Sequence, residues 1–506
     1  MKIYASVFVT KVANPMQNAE KMIEIMQKNE ADIYLFPAYC LTGVSCSDLV
    51  HFQSFANETN EALDRLCEYS ENEHKCIVTA VAGYENIIIR DGDLIQKGST
   101  TIDGKKIIVA ESGDENGGDI LLLPTAMAGY PCIQNDIIEF CAESSKTRKC
   151  VIAVANQGFG ESSADNVYKG FAGIFNRGII VDFKGQEAPE EIAAKADSEQ
   201  QTGLIYTRPN RGEERFPYYG KNEPTRYLNE LLLLQVQALY TRIQGSQKQH
   251  LVLELDGQAS SAVALLVAVQ TMKMCELDPK QIFAVCIGDS ESAAVQNKEL
   301  AEALGVTYLS INPIRALDAI LYTADMQQAS QQTAEGCMQR LHTQILQDLA
   351  QQHDALLVGS ADLTDIALGS TVFGGIFARD YNVNASVPKT VLNEQLKLQA
   401  EKYPQAKSAL TAIAEASAGR IQENAEDLID FALFFFAKRH TSYSDIKNYC
   451  LAVFEELDED EIVEALDRFL RQYKQNQAKR STVYEGANLI GFKLPYFPAD
   501  IDYDLI

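Results

Sequence analysis

Two hydrophobic rhythms alternate along the first part of the chain. KIYASVFV is an apolar run of strand length, and NPMQNAEKMIEIMQKN repeats its apolar residues at helical spacing, with Asn14 placed to cap and Pro15 at the first helical position. ADIYLFPA then reads as a buried strand, and CIVTAVAGY, NIIIRDG, KKIIVAE, DILLLPTAM and CVIAVANQGFG as further strands, with a helix over NDIIEFCAESSKTRK between the last two. The polar stretch KGQEAPEEIAAKADSEQQTG and the turn-rich RPNRGEERFPYYGKNEP break this pattern. They predict a linker over 191–225, separating a domain at 1–190 from one at 226–506. Beyond it, LNELLLLQVQALYTRIQG is a helix, LVLEL a strand, and AVALLVAVQTM a second helix; IFAVCIG, SAAVQNKELAEALG and VTYLSIN repeat the alternation of a doubly wound parallel sheet. From Asn393 on the pattern is helical and charged, and it closes in a turn-rich tail.

Composition narrows the partners. With 506 residues, 46% apolar and 23% charged, the chain is long enough for two or three domains with their own cores. A net charge of -26 argues against nucleic acid or an anionic membrane surface as partner, since both are held by local Lys and Arg. No apolar run approaches a membrane span, and MKIYASVFVT alternates like a strand rather than a leader. The 11 cysteines form no CxxC pair, which fits reduced thiols in a cytoplasm, and the six histidines form no ligand-like cluster for structural zinc.

The stretch LVLELDGQASSAVALLVAV (251–269) joins a strand to a helix through small residues, the layout of a phosphate cradle. In such a loop backbone N–H groups approach the anion and the helix N-terminus adds positive potential. Asp256 and Gln258 oppose that use, one by charge and one by bulk. Both a cradle and a plain βα turn of a parallel sheet satisfy the pattern.

Four ordered segments carry a resemblance that spans nearly the whole chain: ADIYLFPAYCLTGVSCSDL (31–49), ANQGFGESSADNVYKGFAGIFNRG (155–178), LLVGSADLTDIALGSTVFGGIFARDYNVNASVPKT (356–390) and FLRQYKQNQAKRS (469–481). In these the chain resembles the glutamine-dependent NAD synthetases, in which a nitrilase-like amidase domain precedes an ATP-pyrophosphatase domain. The resemblance implies an α/β protein: an αββα sandwich followed by a doubly wound parallel sheet with a helical C-terminal extension. The implied reaction is glutamine hydrolysis, ammonia transfer and amidation of adenylated deamido-NAD, with ATP and Mg2+.

Position by position, the reactive groups of that family are exchanged. Its amidase half uses a Glu base, a Lys and a Cys nucleophile acting as a unit. The Glu belongs in a strand-ending FPE, where this chain has Phe36, Pro37 and Ala38. The Cys belongs in a CED, where Ala110, Glu111 and Ser112 stand, and Lys97 is the remaining stand-in for the Lys, in a loop shortened between Arg90 and Thr101. Lys97 reads first as an ordinary solvated turn residue. Cys40 and Cys132 are substitute thiols to test, each otherwise a buried inert thiol.

The synthetase half of the family grips pyrophosphate with Ser-Gly-Gly-x-Asp-Ser; the chain offers Asp256, Gly257, Gln258, Ala259, Ser260 and Ser261. Of the family's paired Arg, Arg340 stays and His342 replaces the other; Ile376 takes the place of a substrate-loop Asp. In the segment from Asp362 to Asp365, a variant of the family's DLSE, Asp365 is the candidate metal ligand, and Lys479 with Arg480 matches a pair that meets phosphates. A basic pair ending a helix also complements its dipole. The resulting expectation is a catalytically degenerate paralogue acting as a regulatory or scaffolding subunit, a homo-oligomer or a hetero-oligomer with an active NAD synthetase. Three other readings stay open: an ammonia-using NAD synthetase, a nucleotide sensor without turnover, and a pure assembly protein.

Overall fold

The computed structural model describes residues 1–82, 85–96, 98–110, 117–205, 217–218, 224–288 and 291–496, and the chain divides into two compact units. The first comprises Met1–Ser162 and Asn166–Pro209, the second Ser163–Asp165 and Asn210–Ile506.

Two sheets build the first unit. One has six strands in the order Ile192–Asp197, Lys2–Val7, Ile33–Ala38, Cys76–Val81, Glu85–Arg90 and Asp93–Gln96. The other has seven, in the order Leu204–Ile205, Ile179–Gly185, Phe171–Asn176, Val151–Asn156, Ile120–Thr125, Lys105–Val109 and Ser99–Ile102. Because successive side chains of a strand point to opposite faces, each central strand supplies two cores. Ile33 and Leu35 join Ala153, Ala155 and Ala172 in the core formed by both sheets, where small residues let the sheets approach. Tyr34 and Phe36 point the other way, against Met22, Ile25 and Leu66 of the helices Pro15–Lys28 and Gln53–Glu73. Across the second sheet, Ile152 and Val154 meet Ile133, Ile137 and Cys141 of the helix Ile133–Arg148. The result is an αββα sandwich.

Part of the polar stretch expected to be a linker is a strand. Ile192–Asp197 pairs antiparallel with Lys2–Val7 over its whole length, burying Ala194 and Ala196. Every second residue there is small and apolar, and the charged neighbours conceal that alternation from a reading by composition.

In the second unit a five-stranded parallel sheet runs in the order Thr307–Ile311, Ile282–Ile287, His250–Glu254, Ala355–Gly359 and Tyr381–Asn382. The chain winds outward from the 250–254 strand in one direction and resumes on its other side at 355–359. That reversal opens a crevice at the carboxyl ends of these two strands, where ligands bind in sheets of this kind. The helix Ala259–Met274 is buried on all sides from 259 to 269 and correspondingly apolar there, with helices Pro224–Ser246, Lys389–Ala400 and Lys407–Glu423 against it. Helices Glu426–Arg439, Tyr443–Val453 and Glu459–Gln475 form a separate core around Phe431, Phe436, Phe454 and Phe469.

Candidate functional site: an anion cradle occupied from within

The loop after strand His250–Glu254 lies at the crevice, and several of its donors are already engaged. Asp256 turns its carboxylate back on the loop: Oδ1 accepts from the Gln258 amide at 3.0 Å and from the Ser261 hydroxyl at 2.6 Å, while Gln258 Nε2 donates to Oδ2 at 3.0 Å. The turn is completed by Gly257 at φ +72°, a conformation that suits glycine. A further donor of the helix start, the Ala259 amide, is bound by the Ser417 hydroxyl at 2.9 Å, and the Arg420 guanidinium donates to the Gly257 carbonyl at 2.8 Å. The Ser260 carbonyl accepts from Asn384 Nδ2. An anion entering this cradle would meet a carboxylate where it needs N–H groups.

Beside the cradle, Glu254 forms a buried ionic junction. His342 Nδ1 lies 2.7 Å from Glu254 Oε1, and Arg379, 3% exposed, donates to Oε2 at 3.2 Å. Burial raises the Glu254 pKa, but the hydrogen bond from His342 and the charge of Arg379 outweigh it and hold the carboxyl below its ordinary value. Thus His342, standing at the second position of the family's Arg pair, is directed to a carboxylate. Arg340, two residues earlier on helix Gln331–Gln352, is exposed, with Nη2 3.5 Å from Cys337 Sγ. Ile376 packs with Ala361, Ile366 and Phe377.

Across the crevice the residues expected to hold a metal ion surround a lysine. Asp362 caps helix Leu363–Leu368 through Oδ1, which accepts from the Asp365 amide at 2.8 Å. Its Oδ2 is buried without a hydrogen-bond partner, and burial, reinforced by the charge of Asp365, pushes its pKa well above the usual range against the pull of Lys389. Lys389 Nζ is 3.0 Å from both Asp365 Oδ1 and Glu426 Oε1. Burial disfavours that ammonium, yet the charges of Asp362, Asp365 and Glu426 prevail and raise its pKa. Behind it, Asp430 accepts from the Thr364 hydroxyl and from the amide and hydroxyl of Thr390, and burial pushes its pKa up to about 6. A divalent ion does not fit this donor set: the ligand available to it, Asp365, already neutralises an ammonium, and Asp362 uses Oδ1 to cap its own helix. Among the described residues no group of three or more His, Cys, Asp or Glu is placed to hold a metal.

Lys479 and Arg480 close the far end of the same short helix. Arg480 donates to the Ala367 carbonyl at 3.0 Å and to Gln477 Oε1 at 2.8 Å, with its guanidinium 3.9 Å from the Tyr473 ring centre. Lys479 donates to the Gly369 carbonyl at 3.3 Å, and Asn476 to that of Leu368 at 2.7 Å. Cations at the carbonyl end of a helix satisfy its unpaired acceptors and its dipole.

In the first unit Ala38 and Ala110, expected to match amidase positions, lie in packed interior. Ala38 ends its strand 5% exposed, and Ala110 is fully buried against Leu121 and Leu123. Lys97 lies outside the described residues, as do 111–116, including Glu111 and Ser112. Cys40 is fully buried, its Sγ 3.5 Å from Thr79 Oγ1, and burial pushes its thiol up to about 12. Cys132 sits half-buried at φ +67° before helix Ile133–Arg148. The Cys40 position does not activate a thiol, since a nucleophile needs its thiolate form and burial disfavours it there. Glu161 had no signal in the sequence. It is 4% exposed and accepts from the amides of Val44 and Ser45 and from Gln157 Nε2, each at 2.9 Å, tying the segment 44–45 to the turn after strand Val151–Asn156. Ser417, Arg420 and Lys389 were likewise unmarked. Glu254 was legible in principle, because a carboxylate inside the apolar run LVLEL requires a partner.

The NAD synthase family model matches residues 233–404. Glutamine-dependent NAD(+) synthetase from Mycobacterium tuberculosis is 29% identical over 199 residues, 37% of this chain and 29% of that protein's length. The Mycobacterium leprae synthetase is 30% identical over 202 residues, again covering 37% of this chain and 29% of its own. The matched stretch therefore spans less than a third of these relatives. In fold the agreement is wider. A crystal structure of a glutamine-dependent NAD(+) synthetase from Cytophaga hutchinsonii superposes with a TM-score of 0.78 at 13% identity, covering 99% of this chain and 97% of that one. The Acinetobacter baumannii enzyme, solved with ADP, gives 0.69 at 17% identity, covering 98% of each chain. The chain thus carries a segment, 233–404, that matches the NAD synthase family and is similar in sequence to part of the glutamine-dependent NAD synthetases, and over nearly its whole length it shares their fold.

Proposed function

We propose that this protein is a catalytically degenerate relative of the glutamine-dependent NAD synthetases, serving NAD biosynthesis as a regulatory or scaffolding subunit in a homo-oligomer or in a hetero-oligomer with an active synthetase. The observation that carries this reading is the Asp256 carboxylate bound to Gln258 and Ser261 inside the cradle. It holds donors that a pyrophosphate requires and repels the pyrophosphate itself. Ala38 and Ala110 extend the reading to the amidase half, since an amidase without base or nucleophile keeps only weak residual catalysis. The -26 charge and the lack, among the described residues, of a helix long and apolar enough to cross a membrane support neither nucleic acid nor a bilayer as partner.

The test is turnover. Purified protein is incubated with ATP, Mg2+, deamido-NAD and either glutamine or ammonia, and NAD, AMP and pyrophosphate are measured. The expected result is no product with either nitrogen donor and no stabilisation by ATP in a thermal shift. Product from ammonia alone would establish the ammonia-using synthetase instead; ATP or NAD binding without product would establish a nucleotide sensor.

A further inference from the structure

The start of helix Ala259–Met274 is capped from another helix. The side chain of its own N-cap residue, Gln258, caps none of the first amides, and the Ala259 amide donates instead to the Ser417 hydroxyl of helix Lys407–Glu423 at 2.9 Å. One turn further along that helix, Arg420 holds the same loop through the Gly257 carbonyl at 2.8 Å. We propose that the C-terminal half of this helix, residues 415–423, is a strap across the cradle, closed in this structure, that opens to uncover the Ala259 N–H and the Gly257 carbonyl. The contact is autoinhibitory, because a hydroxyl oxygen occupies a donor that an anion at the helix start would need.

Little else holds these turns down. Of residues 415–423 only Ser417 and Ile421 are buried, whereas the earlier part of the helix buries Ala409, Leu410, Ile413 and Ala414. Gly419 stands between the two gripping residues, inside a helix, where glycine is less favourable than alanine. A Cβ added there would meet nothing within 4 Å, so packing does not require the glycine. Ala418, Ile421, Gln422 and Ala425 border a cavity of about 280 Å³, which leaves this end of the helix without a close neighbour on that side. The joint to the next helix is strained: Ala425 sits at φ +50°, which is disfavoured for alanine and relaxes when the strap lifts. Few buried contacts mark a segment that opens locally, ahead of the sheet it covers. The inference rests on the reading of the cradle as closed from within. Its test uses no nucleotide, so product formation would overturn that reading and leave this one to be decided by its own measurement.

Amide hydrogen exchange of the whole chain, read by mass spectrometry with fragmentation to single amides, tests it. The amide to follow is that of Ala259, and none of the variants alters its sequence neighbours, so its intrinsic rate stays constant. Ser417→Ala removes the cap and should speed this exchange about fivefold, and Arg420→Met severalfold. Gly419→Ala touches neither grip but makes the strap a better helix, and should slow the Ala259 amide about threefold to fivefold. In every variant the amides of strand His250–Glu254 should keep the parent's rates, and circular dichroism confirms folding. Three results would overturn the proposal. An Ala259 rate unchanged by Gly419→Ala would mean that its own helix frays and that Ser417 is a fixed cap; equal slowing of the strand amides would mean unfolding of the whole unit; and an unchanged rate in Ser417→Ala would mean that the hydroxyl does not protect the cradle.

Discussion

If Asp256 occupies the cradle as an internal anion, removing its charge should restore affinity for ATP. Two variants separate charge from shape. Asp256→Asn keeps the side-chain outline and removes the charge; Asp256→Ser with Gln258→Gly also returns backbone approach to the loop. A carboxylate held about 4 Å from a phosphate oxygen opposes it by about 4 kcal/mol at an effective dielectric near 20. Asp256 is only half-buried, so solvent and salt screen the pair, leaving roughly 1.5–3 kcal/mol, or about one to two decades in Kd. Freeing the amide at position 258 and the Ser261 hydroxyl adds to this in the double variant, whereas the carboxamide oxygen of Asp256→Asn can still accept from both. The assay is calorimetry with ATP and Mg2+, supported by thermal shift, where a ligand at about 100 times its Kd stabilises by about 2.7 kcal/mol. Asp256→Asn should gain about tenfold over the parent and the double variant more. Should both variants bind ATP no better than the parent while remaining folded, the carboxylate is not what excludes the nucleotide, and the electrostatic reasoning fails.

Three further outcomes follow from the buried groups. Lys389→Met strands Asp365 and Glu426 beside Asp362; breaking a buried pair of this kind costs about 3–5 kcal/mol, to be read as a lower urea midpoint, and a midpoint within error of the parent would show the ammonium to be dispensable. Asp430 has its folded pKa raised from 3.8 to about 6, so the folded state holds the proton more tightly and this group's contribution falls as pH rises from about 4 to 6, by up to about 3 kcal/mol. Asp430→Asn should flatten that part of the urea-stability profile, and a parent that gains stability relative to the variant across this window would reverse the assignment. Cys40, fully buried with its thiol pushed up to about 12, should resist iodoacetamide in the native state and react only after denaturation, and the protein should release no ammonia from glutamine above background; rapid native labelling would refute the packing.

Much of the fold was legible in the chain because its cause is local. Ile33 to Phe36 alternate between two cores, and helix Ala259–Met274 is mostly apolar on every side through residue 269, where it is enclosed on every side. The strand Ile192–Asp197 was missed for the complementary reason: its alternation is carried by small residues among charges, and only its pairing with Lys2–Val7 reveals it. At the site, the expected exchanges at Ala38, Ala110, Asp256 and Gln258 rest on residue identity and the resemblance together, since a thiol or a carboxylate is absent or present in any conformation.

What identity could not decide is where each replacement points and what meets it. Asp256 could face solvent or its own loop; the backbone of Gly257 and Gln258 turns it inward. The Ala259 amide is satisfied by Ser417, 158 residues away, and Lys389 neutralises carboxylates on two other elements. Such contacts have no sequence period, because they depend on which helices the sheet brings side by side. Composition and periodicity determined the layers of this protein, whereas the partners of its buried charges were set by tertiary packing, which alone decides which ions lose their water and must find one another.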